Sequence, residues 1–447
     1  MQASTESARG AIPEQPEPLI IPRAAHSISR KDIDREALKV MYRLRDAGFS
    51  AYLVGGAVRD LYQGKTPKDF DISTNARPGQ LRSLFRNSRI IGRRFRLVQV
   101  FYGGGKIVEV STLRCRSEFD EQAEDEALAH NNSFGTEAED AFRRDLTINA
   151  LFYEIENFTI IDYTGGVADL NNRIVRMVGD PDRRFARDPV RMLRVIRHAA
   201  RSNFTIEEKT WQAILSHRED LRLCPDSRIR DELFKDLHSG ASVPWARLAI
   251  ASGLFFLLFP FYRGILSEEE VDASEAGRLL LALFGVVDRL QAEKPLPEHI
   301  LLSLLMIPWA QAKFSLSSLE LKGQEAFAFS RKIRDQIDAV LAHLNVKRAS
   351  KEAIASHLVN LPVFIRHGRE GHWPGWLKKK SYFQEGLLLY RLYQEAAVGE
   401  VVDFKPAETL PSSPGEKGKG KGRNGSRSGS RTPSFSRRKG GVFGLKR

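Results

Sequence analysis

Cysteine is scarce in this chain: Cys115 and Cys224 are the two in 447 residues. They are too few and too far apart for a disulfide framework or a metal-ligand spacing, so free thiols in a reducing compartment are expected. Long apolar runs are missing too. The most apolar stretch, Leu248 to Tyr262, has 15 residues and contains Pro260, short of the ~20 needed to span a bilayer. The first residues, Met1-Gln-Ala-Ser-Thr, lack the basic-then-apolar pattern of a secretory leader. A cytoplasmic protein with no membrane association is expected. No Gly-x-Ser-x-Gly run is present, which removes support for a nucleophilic serine. No His-Asp dipeptide occurs, which argues against an appended metal phosphohydrolase module. His367-Gly-Arg-Glu-Gly-His372 has no partner ligands and reads as a loop. No repeat of solenoid length stands out.

Acid is nearly absent from one place in particular. Residues 411–447 hold eleven Lys/Arg and a single acid, Glu416, so this tail carries +10 of the net +13. The other 410 residues carry only +3 between them. Hydrophobic content of 42% supports a sizeable core for most of the length. The Gly/Ser/Lys/Arg-rich tail cannot bury apolar area, and disorder is expected there. Lys417, Lys419, Lys421, Arg423, Arg437, Arg438 and Lys439 would attract phosphates without regard to sequence.

The patterning divides the chain into five parts: an arm over 1–30, a head over 31–175, a helical neck over 176–240, a helical body over 241–405 and a basic tail over 406–447. The arm carries four prolines and little periodicity, so a loose, flexible segment is expected. In the head, helical spacing from Asp32 to Leu44 precedes a strand at 52–54, a helix start at 57–61, a strand at 70–72 and a helix from Pro78. Residues 96–102 and 106–112 flank Gly103-Gly104-Gly105 and read as a hairpin. An acidic segment near 120–126 and a strand over 159–163 follow. From Asp188 the periodicity is helical, over 190–200, 206–214, 228–237, 277–290, 299–305 and 384–397.

Chemistry concentrates in the head. Asp69 and Asp71 flank one apolar residue, so on a strand both carboxylates point the same way. Like charges that close suggest a divalent cation between them. Some 13 residues earlier, Gly55-Gly56 opens a helix bearing Arg59, a backbone able to approach an anion with positive charge beside it. A two-metal phosphoryl-transfer site needs acids holding two cations about 4 Å apart. Glu109, between Val108 and Val110, and Asp145, after Arg143-Arg144 and before Asn149, are both open as the third acid. Asp145 could equally accept from a ribose hydroxyl. Arg144 can screen triphosphate charge. Arg191, Arg194 and Arg197 recur every three residues after Asp188, on one helix face. Asp188 with Arg191 offers an acceptor and a donor to a base edge, with Arg194 and Arg197 towards phosphates.

Four runs carry a family resemblance: Leu53-Val-Gly-Gly-Ala-Val-Arg-Asp60, Asp69-Phe-Asp71, Arg143-Arg-Asp-Leu-Thr-Ile-Asn-Ala150 and Asp188-Pro-Val-Arg-Met-Leu-Arg194. Together, over about residues 26–240, they resemble the successive motifs of class II nucleotidyltransferases, which include bacterial poly(A) polymerases and CCA-adding tRNA nucleotidyltransferases. Arg89-Ile-Ile-Gly-Arg-Arg-Phe-Arg-Leu-Val-Gln-Val100 resembles the signature of the poly(A) polymerase branch. So do His26-Ser-Ile-Ser-Arg-Lys-Asp-Ile33 and the basic tail. Two positions depart from the pattern: Gln99 stands where the signature has His, and Arg187 where the base-reading motif has Glu.

The resemblance implies an α+β head, a mixed sheet with flanking helices, followed by an all-α neck and body. It implies magnesium at Asp69 and Asp71, triphosphate at Gly56 and Arg59, and nucleotide at Arg144 and the active-site acid Asp145. It puts the base at Asp188 and Arg191, with Arg194 and Arg197 nearer the phosphates. The implied reaction is adenylation of RNA 3′ ends, on messenger and other transcripts, from ATP, with RNA-decay proteins as partners. A CCA-adding enzyme and a non-catalytic RNA-binding protein on the same scaffold are the rival readings.

Overall fold

Eight short strands form one mixed sheet in the order β1-β8-β7-β2-β3-β6-β5-β4. They are β1 (Leu19–Ile21), β2 (Tyr52–Val54), β3 (Asp71–Thr74), β4 (Ser88–Ile91), β5 (Leu97–Phe101), β6 (Ile107–Thr112), β7 (Leu151–Glu154) and β8 (Ile160–Asp162). The computed structural model describes residues 17–92, 96–114, 134–291, 295–320 and 323–399. Neighbouring strands are antiparallel except β3 and β6, which run parallel. The expected hairpin is β5–β6, closed by a 3-10 turn at Gly103–Gly105. Its residues alternate: Val98, Val100, Val108 and Val110 are buried, while Gln99 and Glu109 are half-buried on the opposite face. Register then lines up Asp71, Glu109 and Gln99 as one row across three strands.

Helices α1 (Arg35–Asp46), α2 (Gly56–Tyr62), α3 (Pro78–Leu84), α4 (Glu137–Arg143) and α5 (Gly166–Asn172) flank the sheet. Asp34 caps α1 by accepting from the backbone N–H groups of Glu36 and Ala37. Val54, Ala150 and Phe152 from the sheet pack with Ala141 of α4 and with Val178. Gly166 is required by close approach, since a Cβ there would lie 2.2 Å from the Thr147 carbonyl oxygen.

The arm differs from its expectation. Leu19–Ile21 pairs with β8 as the sheet's edge strand, Ile28 is buried, and His26 Nε2 lies 2.8 Å from the Phe158 carbonyl oxygen. Three residues are too few for periodicity to register, and pairing rather than propensity creates the strand. Residues 1–16 lie outside the described residues, as do Cys115, the acidic segment at 120–126 and the tail with its seven candidate RNA-contacting cations.

Beyond the head come α6 (Pro181–Arg187), α7 (Arg191–Ser202), α8 (Glu208–His217), α9 (Asp226–Leu237), α10 (Ser242–Ala251) and α11 (Leu254–Leu258), with a small parallel pair β9 (Ile174–Val175) and β10 (Thr205–Ile206). The body contains α12 (Glu275–Gln291), α13 (Glu298–Phe314), α14 (Gly323–Val340), α15 (Arg348–Arg369), α16 (Gly375–Lys378) and α17 (Phe383–Val398). Helix α13 runs through Pro308, past the end expected at residue 305. An interior proline costs ~3 kcal/mol; unbroken burial from Ile300 to Ala310 offsets it. Among the described residues no helix is long and apolar enough to cross a membrane.

Candidate active site

A cleft of about 1170 Å³ opens between the sheet and the first neck helices. Its sheet wall carries the acids. Asp71 begins β3, and Asp69 lies just before the strand rather than on it, yet both line the cleft with Glu109. Gln99 Nε2 donates to Glu109 Oε1 at 2.9 Å and so fixes that carboxylate in its row. Partial loss of water in the cleft, then the charges of Glu109 and Asp69, push the Asp71 carboxyl above its usual range although the residue is still exposed, while Arg144 opposes them.

Gly55 enters α2 with φ +67°, a conformation glycine adopts without strain. Its absent side chain leaves room for Arg144 Nη1, which would lie 3.2 Å from a Cβ. Arg59 is buried: its Nε and Nη2 donate to Asp60 Oδ1, and Nη1 donates to Asn149 Oδ1 at 2.6 Å. Arg144 Nη2 donates to Asp140 Oδ2 at 2.9 Å, and the guanidinium lies over the Phe152 ring.

Asp145 follows α4 and joins the head to the neck. Its Oδ2 accepts from Arg194 Nε at 2.6 Å, and its Oδ1 accepts from the Leu146 N–H and from Asn149 Nδ2. Burial alone would raise this carboxyl; the Arg194 charge, then His198 and the hydrogen bonds, hold it well below the carboxylate range. His198 is buried against Arg59 and Asn149. Burial first and the Arg59 charge second depress its pKa, so its ring is neutral near pH 7.

The helical wall carries Asp188 and Arg191. Asp188 stands between α6 and α7, 3.1 Å from Arg228 Nη1 on α9 and 3.5 Å from Arg191 Nε. Arg191 Nη1 is buried without a hydrogen bond, and Asp188 Oδ1 has only the Arg228 ion pair. Arg197 leaves this wall. It is buried, donates to Asp236 Oδ1 at 2.9 Å and to Glu232 Oε2, and does not line the cleft.

The structure therefore brings Gly55, Gly56, Arg59, Asp69, Asp71, Glu109, Arg144, Asp145, Asn149, Asp188, Arg191 and Arg194 to one cleft, and leaves Arg197 behind it. It adds His198, Arg201, Arg228, Glu232 and Lys235, which carried no spacing signal. His198 was findable: it lies four residues after Arg194, on the same face of a helix already read as functional. Among the described residues, no three His, Cys, Asp or Glu side chains are already gathered to hold a metal ion.

The cleft combines a sheet-borne carboxylate pair, a Gly-Gly helix entrance and an arginine-lined helical wall, on an α+β head followed by a largely helical neck and body. Residues 51–176 match the poly A polymerase head domain, and residues 203–265 match the probable RNA and SrmB-binding site of polymerase A. Poly(A) polymerase I of Salmonella typhi is 45% identical over 268 residues, 58% of this chain and 57% of that protein. A CCA-adding enzyme of Lactobacillus helveticus is 40% identical over 204 residues, 46% of this chain and 50% of that one. The chain thus spans between half and three fifths of these relatives. In fold it is similar to the Bacillus stearothermophilus CCA-adding enzyme in complex with CTP, with a TM-score of 0.60 and 23% identity, covering 82% of this chain and 78% of that one.

Proposed function

We propose that this chain is a template-independent adenylyltransferase that extends RNA 3′ ends from ATP and releases pyrophosphate. The observation that carries the reading is the acceptor and donor side by side on the cleft wall: Asp188, held by Arg228 at 3.1 Å, and Arg191 Nη1, buried without a hydrogen bond. Unsatisfied buried polar atoms are costly and call for a partner. An adenine edge offers the N6 amino donor and the N1 acceptor that match both. Guanine and uracil present the opposite order, so the pair selects adenine or cytosine. With Arg187 in place of an acid, Arg228 serves as the brace that holds Asp188.

Asp69 and Asp71 suit magnesium. Their carboxylates are hard oxygen donors crowded with like charge, and magnesium commonly takes one or two carboxylates with substrate phosphates and water completing its shell. When bound, magnesium supplies charge neutralisation and a more acidic attacking hydroxyl. The chain's own residues do the rest by positioning. Gly55, Gly56 and Arg59 form the wall for the triphosphate, and Arg144 adds positive charge close to Asp71. The RNA 3′ oxygen bonds to the α-phosphorus of ATP as the bond to the β-phosphate oxygen breaks.

We assign Glu109 as the third carboxylate, supported by its place in the Asp71 row. Asp145, committed to Arg194, instead locks head to neck and offers its edge to the ribose. Contact of the tail cations with RNA, decay proteins as partners and a cytoplasmic location belong to the same reading. The test offers each nucleoside triphosphate separately with a generic RNA primer and magnesium. A long ladder from ATP alone is expected. A stop after three mixed nucleotides would instead identify a CCA-adding enzyme, and no extension by any triphosphate would leave an RNA-binding protein.

A further inference from the structure

The far end of the body carries an exposed aromatic among unpaired cations. Helix α16 is four residues long and faces both ways. Leu377 is fully buried, while Trp376 is 52% exposed and Lys378, Lys379 and Lys380 are all exposed. The segment is held firmly from below. Trp373 packs edge-on or tilted against Phe364, Phe383 and Tyr390 with ring centroids 5.7–6.1 Å apart. Helix α15 presses so close to α17 that a Cβ at Gly368 would fall inside the Tyr390 ring. Trp376 itself stands edge-on to His367, 6.2 Å away on the last turn of α15.

That turn also presents Arg366 and Arg369, three residues apart and exposed. Among the described residues none of these five cations has an ion-pair partner. The one acid between them, Glu370, is bonded to His367 Nδ1 at 2.9 Å. None of these residues lines the catalytic cleft.

We propose that Trp376, with Lys378, Lys379, Lys380, Arg366 and Arg369, is a stacking platform for single-stranded RNA, engaging the strand away from its reacting 3′ end. Single strands combine a phosphate backbone with bases that expose π-faces, and proteins hold them with cations interleaved with aromatic rings. A fixed indole costs little entropy to stack against. An anionic membrane also attracts cations and tryptophan, but insertion requires a broad apolar face. Here one indole stands among charged neighbours. The inference rests on RNA being the polymer substrate.

Fluorescence anisotropy with labelled oligo(A) of about six and about 20 nucleotides tests it, since such sites cover roughly 4–16 nucleotides. The full chain is compared with Trp376→Ala, Trp376→Phe and the triple variant Lys378→Ala/Lys379→Ala/Lys380→Ala. Trp376→Ala should weaken the longer oligomer about 5- to 150-fold, with Trp376→Phe restoring most of it. The triple variant should reduce the slope of log affinity against log salt by about 2. Unchanged binding of the longer oligomer by both alanine variants would overturn the proposal. So would a loss confined to phosphatidylserine vesicles with RNA binding intact. Binding is read without ATP, so a chain that binds through this surface yet adds no nucleotide would overturn the adenylation reading alone.

Discussion

On α7, Arg191 and Arg194 face the cleft, while Arg197, one turn further, enters the neck interior between α9 and α10. In the interior Arg197 meets Asp236 and the cleft-lining Glu232, which Lys235 also bonds, and Asp236 Oδ2 is left without a hydrogen bond. In the cleft Asp71 faces other acids, Asp188 Oδ1 has only its ion pair with Arg228, and Arg191 Nη1 has no hydrogen bond. Both regions draw on the same residue types and even the same helix, so composition does not distinguish them. What separates them is setting: Arg197 is buried among its countercharges, while Arg191 and Arg194 line the open cleft.

The largest expected effect breaks the cleft side. Asp71→Ala should lower nucleotidyl transfer by at least about 10³-fold while leaving the unfolding midpoint nearly unchanged, as read by primer extension beside thermal denaturation. A stability loss instead would place Asp71 with the interior. Arg197→Met strips the countercharge from Glu232 and the hydrogen-bond donor from buried Asp236, and should cost about 3–5 kcal/mol in denaturant unfolding. Activity measured well below the midpoint should survive; a selective loss of activity would move Arg197 to the cleft.

Arg191→Ala should cost about 1–3 kcal/mol of discrimination between ATP and GTP, roughly 5- to 150-fold in kcat/KM ratio. Its stability should shift by no more than about 0.5 kcal/mol. Equal loss for every triphosphate would make Arg191 a phosphate contact rather than a base reader.

The smallest effect concerns pH. Burial pushes the Asp236 carboxyl up to about 8, with Arg197 opposing and Glu232 adding to the rise. An acid with a raised folded pKa binds its proton more tightly folded than unfolded. Its contribution is full below the unfolded pKa near 4 and is lost as pH rises towards 8. The unfolding midpoint should therefore fall between pH 5 and 9, and Asp236→Asn, which keeps an acceptor for Arg197, should flatten that decline.

Much of the cleft was legible because its parts obey local rules. A Gly-Gly entrance, a carboxylate pair and an alternating hairpin each declare themselves within a dozen residues. Arg197 misled because three-residue spacing predicts a shared face, whereas Arg191 to Arg197 spans almost two turns and drifts around the helix by ~60° per three-residue step. Arg228 and Lys235 were invisible for another reason: α9 reaches the cleft through tertiary packing, which leaves no periodic trace of its neighbour. Strand β1 escaped because its partner, β8, lies some 140 residues away in sequence.

The cleft draws its lining from Gly55 to Lys235. At roughly 5–20 residues per second of synthesis, the carboxylate pair exists about 6–24 seconds before Arg191 of α7 is made, and longer before Arg228 of α9. A nascent chain therefore holds the carboxylate wall without the arginine wall. Completion of the cleft waits on one late event, docking of the neck through Asp145 and Arg194.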